Sequence, residues 1–236
     1  MFLNPFSAEF FLVKPILNLL IWLYNVLPGD DIGLAIIAVT ILVRILLFPS
    51  FQKSLRAQKE LQQIQPKLEE VKQRYKDDKE AQTKAVLKFY QENKINPLSS
   101  CLPLLIQLPL LIALYNVFRM GLDGDISAKL YPFISDPGYI DAMFLGFVDL
   151  AKSNVVFAFA AGLAQFVQSK LMIPPKVKGA TQDKTAAMMS MQFTYIMPIV
   201  TAVVAMSLPA GLSLYWIITT LFAIGQQWYI MRKRST

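Results

Sequence analysis

The sequence of 236 residues contains no histidine and only one cysteine, Cys101. Without histidine the chain cannot build a Ser-His hydrolase site or a His-ligated metal site. With one cysteine it cannot form an internal disulfide. A glycine-rich phosphate-binding loop, the usual means of holding a nucleotide, is also missing. These absences predict a protein that is not an enzyme, with no catalytic residues, no metal and no cofactor.

Apolar residues, in contrast, are abundant, at 55% of the chain. That share exceeds the usual value for soluble domains and points to a membrane protein. A spanning helix needs about 20 predominantly apolar residues. Five segments satisfy this requirement, at about 32–51, 98–119, 153–172, 191–208 and 212–231. We therefore predict an all-α integral membrane protein with a bundle of five transmembrane helices, which together form a core over residues 32–231.

The charges between these spans predict an orientation. Residues 52–94 carry 11 Lys/Arg against 7 Asp/Glu, and both the 173–188 segment and the 232–236 tail are basic. Residues 120–150 instead carry five aspartates and one lysine. Because basic loops stay on the cytoplasmic side, the C-terminus is expected in the cytoplasm and the N-terminus outside.

Residues 1–31 precede the first predicted span. Their apolar stretch from Ile16 to Leu27 is short, and Pro15 suits the first turn of a helix. We interpret it as an amphipathic helix that lies in the outer interface of the membrane. A sixth span is the alternative.

The charged segment 52–94 has a regular apolar pattern. Its first half repeats apolar residues at three- and four-residue spacing, and Asp78 can cap a second helix from about Lys79 to Glu92. This predicts a cytoplasmic hairpin of two helices. The apolar residues of the first helix are Leu61, Ile64, Leu68, Val71 and Tyr75.

Arg44 is the most informative residue, because it lies within the apolar run of the first span. A charge at membrane depth costs about 2.5–3.5 kcal/mol on insertion scales. No Asp or Glu occurs in any of the five predicted spans, so no acidic side chain is available there to pair with it. Arg44 must then be hydrated, bound to carbonyls and amides, or left for an anionic group from another molecule. We predict a water-filled cavity with a positive potential around it.

Other polar residues recur within the spans. Thr40 lies one turn before Arg44, and Gln107 lies between two prolines in the second span. Asn154, Gln165 and Gln168 share one stripe of the third span, and Ser213, Trp216, Thr220 and Gln227 share one stripe of the fifth. These sets are compatible with a common polar interior. The alternative is that they only join helices, at about 0.6 kcal/mol per hydrogen bond.

Several motifs in this order resemble the YidC/Oxa/Alb family of membrane protein insertases. The resemblance covers about residues 30–231. The motifs are Val43-Arg44 with Pro49, Gln65-Pro66-Lys67, Asn96-Pro97-Leu98 through Gln107-Leu-Pro109, and Leu208-Pro-Ala-Gly211 through Tyr215-Trp216.

The resemblance implies a five-helix core and a cytoplasmic hairpin around a hydrophilic groove that is open to the cytoplasm. Arg44 would be the groove arginine, Thr40 and Trp216 would contact the incoming chain, and Gln168 would be a further groove residue. With the polar stripes, the expected groove is completed by Gln107, Ser213 and Thr220.

The implied partners are nascent membrane proteins and the lipid bilayer of the bacterial inner membrane. Because the 232–236 tail is short, the 52–94 hairpin is the expected contact for a ribosome. A Sec translocon is a further expected partner, and no sequence-specific binding of nucleic acid is expected. A small transporter or channel is the alternative function.

Overall fold

The computed structural model describes residues 13–94, 107–108, 111–112, 114–116, 126–172 and 191–232, and it is mostly helical. The helices are α1 (Lys14–Val26), α2 (Ile32–Leu46), α3 (Phe48–Arg74), α4 (Lys79–Glu92), α5 (Val155–Met172), α6 (Met197–Met206) and α7 (Ala210–Arg232). Short strands β1 (Met143–Phe144) and β2 (Val148–Asp149) pair antiparallel. A 3₁₀ turn at Ser127–Lys129 and a π-helical turn at Gln192–Ile196 complete the elements.

Parts of the prediction lie outside the described residues. These are most of the span expected at about 98–119, the whole basic segment 173–188 and the tail beyond Arg232. The described positions between 107 and 116 are helical.

Helix α1 packs against α2 and contributes much of the core. Its buried side chains include Leu17, Leu20 and Ile21, which share one cluster with Ile36 and Val39 of α2. Polar side chains on α1 also hold the loop that follows residue 126. Asn18 accepts from the Tyr131 N–H at 2.6 Å, and the Tyr24 hydroxyl accepts from the Asp141 N–H at 3.0 Å.

The first apolar run is not one straight helix. Helix α2 ends at Leu46, and α3 begins at Phe48 with Pro49 in its first turn. The two axes differ by 65°. Proline has no N–H to bond to the carbonyl of the preceding turn, so the ladder breaks here and the chain changes direction. The helix expected over about 32–51 is therefore divided at Leu47.

Helices α3 and α4 contact each other as a hairpin. Asp78 caps α4, since its Oδ1 accepts from the Glu80 and Ala81 N–H groups, both at 3.0 Å. Along the apolar seam of α3 only Leu68 is buried, and Tyr75 is exposed. The seam is thus a narrow contact, and most of the surface of the hairpin is polar and exposed.

Within the described ranges, one helix, α5, is long and apolar enough to cross a membrane by itself. The bent pair Ile32–Leu46 and Phe48–Leu61 meets the same test when taken together. Helix α5 packs closely on α6, because a Cβ added to Gly162 would lie 2.8 Å from the Ala202 Cβ and 2.9 Å from the Pro198 carbonyl oxygen. The same face of α5 buries Ala158 and Ala161.

The prediction of an all-α fold is confirmed in the coarser sense of a mostly helical protein. The hairpin of β1 and β2 is the exception, with Met143 opposite Asp149 and Phe144 opposite Val148. Its tight turn has positive φ at Leu145 and Gly146. The hairpin is held to the start of α2 by Asp31, whose Oδ2 accepts from the Leu145 N–H at 2.7 Å. This long-range bond could not be read from local sequence patterns.

Candidate functional site around Arg44

Arg44 lies in the last turn of α2 and is only 7% exposed. Its guanidinium carbon lies 4.3 Å from the centroid of the Phe51 ring. Its Nη2 donates to the Gln107 Oε1 at 3.4 Å, a long hydrogen bond. The guanidinium is therefore bound by one aromatic face and one neutral amide.

The break at Leu47 explains how Phe51 reaches Arg44. Residues seven apart in an unbroken helix are separated by about 10 Å along the axis. The 65° bend between α2 and α3 brings the first turn of α3 against the last turn of α2. Phe51 is buried there, and its ring covers the guanidinium.

The charge of Arg44 is only partly compensated. Its place at the C-terminal end of α2 is favourable, because the helix dipole is negative there. A cation over a desolvated aromatic ring contributes about 2 kcal/mol. Across the described ranges, however, no carboxylate forms an ion pair with Arg44, as the sequence predicts. Most of the five guanidinium N–H groups have no partner within these ranges.

The other expected groove residues differ in how far their side chains are buried. Thr40 is fully buried, and its hydroxyl donates to the Ile36 carbonyl oxygen of its own helix at 2.6 Å. Ser213 and Thr220 on α7 are buried as well. Gln107, Gln168 and Trp216 are partly exposed. Arg44 and Gln107 are the two members of this set that the structure joins by a hydrogen bond.

Helix α7, which packs against α2 and α5, carries a series of buried polar groups. In the part of the chain that is described, several of their N and O atoms form no hydrogen bond. Each buried polar atom without a partner destabilises the protein by about 1–3 kcal/mol. A water molecule or another chain that hydrogen-bonds to these atoms would recover that free energy. They belong to Ser213, Tyr215, Thr219, Gln226 and Gln227.

Comparison with known proteins identifies the family. The family model described as 60Kd inner membrane protein matches residues 22–236. The membrane protein insertase YidC of Fusobacterium nucleatum is 37% identical over 203 residues, covering 86% of this chain and 87% of that protein. The chain belongs to the YidC/Oxa/Alb family of membrane protein insertases.

Other YidC proteins are longer. Those of Oleidesulfovibrio alaskensis and Pelobacter propionicus are 31% and 34% identical to this chain, which spans 39% and 38% of their lengths. A solved structure, "Active YidC insertase crystal structure with the first transmembrane domain resolved", matches 90% of this chain and 45% of its own, with a TM-score of 0.60 and 26% identity. The insertase family expected from the motifs is thereby confirmed, as is its non-enzymatic function.

Two features of this YidC-family site were missed by the sequence analysis. Phe51 was not singled out, although its position two residues after Pro49 is the available signal that a bend could fold it onto Arg44. The capping role of Asn154, which was grouped by spacing with Gln165 and Gln168, was not predicted either. Its Oδ1 accepts from the Val156 and Phe157 N–H groups at 2.9 and 3.2 Å, so Asn154 caps α5.

Proposed function

We propose that this insertase moves nascent hydrophobic segments from the cytoplasm into the bilayer along a hydrophilic groove centred on Arg44. The observation that supports this most strongly is the buried guanidinium, held by Phe51 and Gln107 with no carboxylate beside it among the described residues. A cation in this state favours an anionic group brought by another molecule.

The groove is proposed to include the polar side chains near Arg44 and along α7. The unpartnered hydroxyl of Ser213 supports this assignment, since an incoming backbone can hydrogen-bond to it. Thr40 contributes the wall of the groove rather than a free hydroxyl, because it already donates to Ile36. The remaining proposed members are Trp216, Thr220, Gln107 and Gln168.

We further propose that the core is a bundle of five spans in the inner membrane, with its C-terminus in the cytoplasm. Its spans lie at about 32–51, 98–119, 153–172, 191–208 and 212–231. The length of α5 and the family membership support a membrane location. The charge asymmetry between residues 52–94 and 120–150 supports this orientation. Residues 1–31 are proposed to lie at the outer interface.

The proposed mechanism needs neither a nucleotide nor covalent chemistry. Arg44 attracts the acidic tail of an incoming segment, and this attraction is strong where water is scarce. Helix α2 has 15 residues, so it is about 22 Å long. The hydrocarbon core is about 30 Å thick, so α2 covers only part of it before the polar region near Arg44 begins. The acidic tail therefore has a shorter apolar distance to cross. Helices α2 and α7, which pack together, then separate to let the apolar segment pass into the lipid, at a gain of about 25 cal/mol per Å² of apolar surface removed from water.

The hairpin of residues 52–94 is the proposed contact for a ribosome, and a Sec translocon is a further proposed partner. The exposed, charged surface of α3 and α4 supports the first proposal. Deleting residues 52–94 should abolish cosedimentation with ribosomes, and unchanged cosedimentation would assign the hairpin a different role. A charge-matched linker in its place is the control for loss of length.

Charge exchange at Arg44 tests the proposed function. Arg44→Glu should reduce the insertion of a single-span substrate with an acidic tail at least tenfold, whereas Arg44→Lys should retain most of it. The same substrate with a neutral tail should depend much less on the charge. Lys152→Glu, on an exposed side chain outside the helices, is the matched control. Undiminished insertion of the acidic-tailed substrate by Arg44→Glu would contradict the proposal.

A further inference from the structure

The turn of the β1–β2 hairpin presents large apolar side chains to the surroundings. Phe147 is 88% exposed and Leu145 is 57% exposed. No charged residue occurs between Asp141 and Asp149, so the hairpin tip, residues 145–147, is uncharged. Single exposed apolar residues are common, but two of them at the end of a tight turn form a protruding apolar point.

The hairpin tip is held firmly in its position. Asp31 accepts from the Leu145 N–H at 2.7 Å, and the Phe144 ring packs where a side chain on Gly33 would be. The Phe144 ring also meets the Phe157 ring edge-on, with centroids 6.5 Å apart. The tip is thereby fixed to the start of both α2 and α5.

The backbone conformation of Leu145 is a second indication that the hairpin tip has a function. Its φ is +50°, a left-handed conformation that favours glycine or asparagine. A leucine here is unfavourable for the backbone and gains little from burial, since the side chain is largely exposed. An apolar environment outside the protein would offset this strain.

The position of α5 sets the level of the tip relative to the bilayer. Helix α5 is the one helix of the described ranges that can span alone, and most of its residues are not buried. Its first turns expose Val155, Val156 and Phe159. Asp149 and Lys152, paired at 2.9 Å, lie between the hairpin and this helix. The tip therefore lies at the end of α5, where a spanning helix leaves the hydrocarbon region.

We propose that Leu145 and Phe147 insert into the lipid interface on the side of the 126–150 loop and anchor the outer ends of α2 and α5 there. Aromatic and apolar side chains are favoured at this level of a bilayer. The occupant is lipid rather than a protein, because the tip is exposed and uncharged and lies at the same end of the protein as the exposed apolar first turn of α5. This anchor is independent of the proposed groove.

Spin labels on the full-length chain test the anchor. Cys101→Ser removes the native thiol, and Phe147→Cys carries the label. Each nanodisc, made of phosphatidylethanolamine and phosphatidylglycerol, holds one copy of the protein. Gln73→Cys, exposed near the end of α3 in the charged hairpin, is the aqueous control, and Leu163→Cys, exposed in mid-α5, is the hydrocarbon control. All labelled variants would first be checked for monodispersity.

Relaxation by oxygen and by a water-soluble nickel chelate distinguishes the outcomes. The label at 147 should be relaxed severalfold more by oxygen than by the chelate, at a depth between the two controls. A label at 147 that behaves like the one at 73 would overturn the proposal, because the tip would then be in water. An immobilised label shielded from both reagents would overturn it in favour of a protein contact.

Discussion

The guanidinium of Arg44 lies against the ring of Phe51, with 4.3 Å from its carbon to the ring centroid, across the helix break at Leu47. The contact gives a buried cation a partner that can be displaced at a small loss of free energy, unlike a carboxylate. An acidic group that reaches Arg44 can therefore compete with the ring. This is the arrangement expected of a charge that must attract an anion and then release it.

Replacing the ring tests that competition. Phe51→Leu keeps an apolar side chain but removes the aromatic face, so the protein should lose about 1–2 kcal/mol of stability. A double-mutant cycle with Arg44→Met, read from unfolding in detergent, isolates the ring–charge contribution. Additive effects of the two changes would contradict the contact. Crosslinking of an acidic-tailed nascent chain near Arg44 should increase in Phe51→Leu and stay unchanged in Phe51→Tyr.

The unpartnered hydroxyls of α7 allow a test between groove and helix packing. If Tyr215 and Ser213 await an incoming chain, then Tyr215→Phe and Ser213→Ala remove an unsatisfied polar atom and should leave stability unchanged or raise it by about 1 kcal/mol. Insertion should fall in both variants. If the hydroxyls only join helices, stability should fall instead. Thermal unfolding and insertion, measured on the same preparations, separate the two cases.

The close approach of α5 and α6 predicts a steric effect at Gly162. Gly162→Ala places a Cβ within 3 Å of Ala202 and of the Pro198 carbonyl oxygen, which should destabilise the protein by about 1–3 kcal/mol. Gly225→Ala in α7 is the control, because nothing lies within 4 Å of a Cβ there. That change should stabilise the helix by up to about 1 kcal/mol. Equal effects on the unfolding temperature would contradict the close packing.

The hydrogen bonds of the two Asp31 carboxylate oxygens predict two separable effects on amide hydrogen exchange. Its Oδ1 accepts from the Gly33 and Leu34 N–H groups, and its Oδ2 accepts from Leu145. Asp31→Asn retains one acceptor oxygen for the α2 cap but loses the Leu145 bond. A bond to a charged group contributes about 1.5–3 kcal/mol. Exchange at Leu145 should therefore quicken at least tenfold, while Gly33 and Leu34 stay protected. Asp31→Ala should expose all three.

Much of this fold could be predicted because the relevant signals are local. The Asp78 cap and the extent of α4 follow from short-range capping and spacing, and both are as expected. The absence of an acidic partner for Arg44 could be predicted because no Asp or Glu occurs in the five predicted spans. The break at Leu47 was missed because Pro49 suits either a helix start or a bend, and tertiary packing decides between them. Phe51 was missed for the same reason, since its contact exists only after the bend.

The carboxylate of Asp31 has a consequence for how this protein is made. It begins α2, yet it joins a backbone N–H that lies 114 residues further along the chain. At about 5–20 residues per second of synthesis, that partner emerges roughly 6–23 s later. During this interval the Asp31 Oδ1 can already cap α2, but its Oδ2 lacks the Leu145 bond, and for part of the time Arg44 lacks Gln107. Helix α2 of this insertase is thus, for a time, itself an apolar segment that has not yet met its partners, and a bond at its N-terminal end is among the last to form.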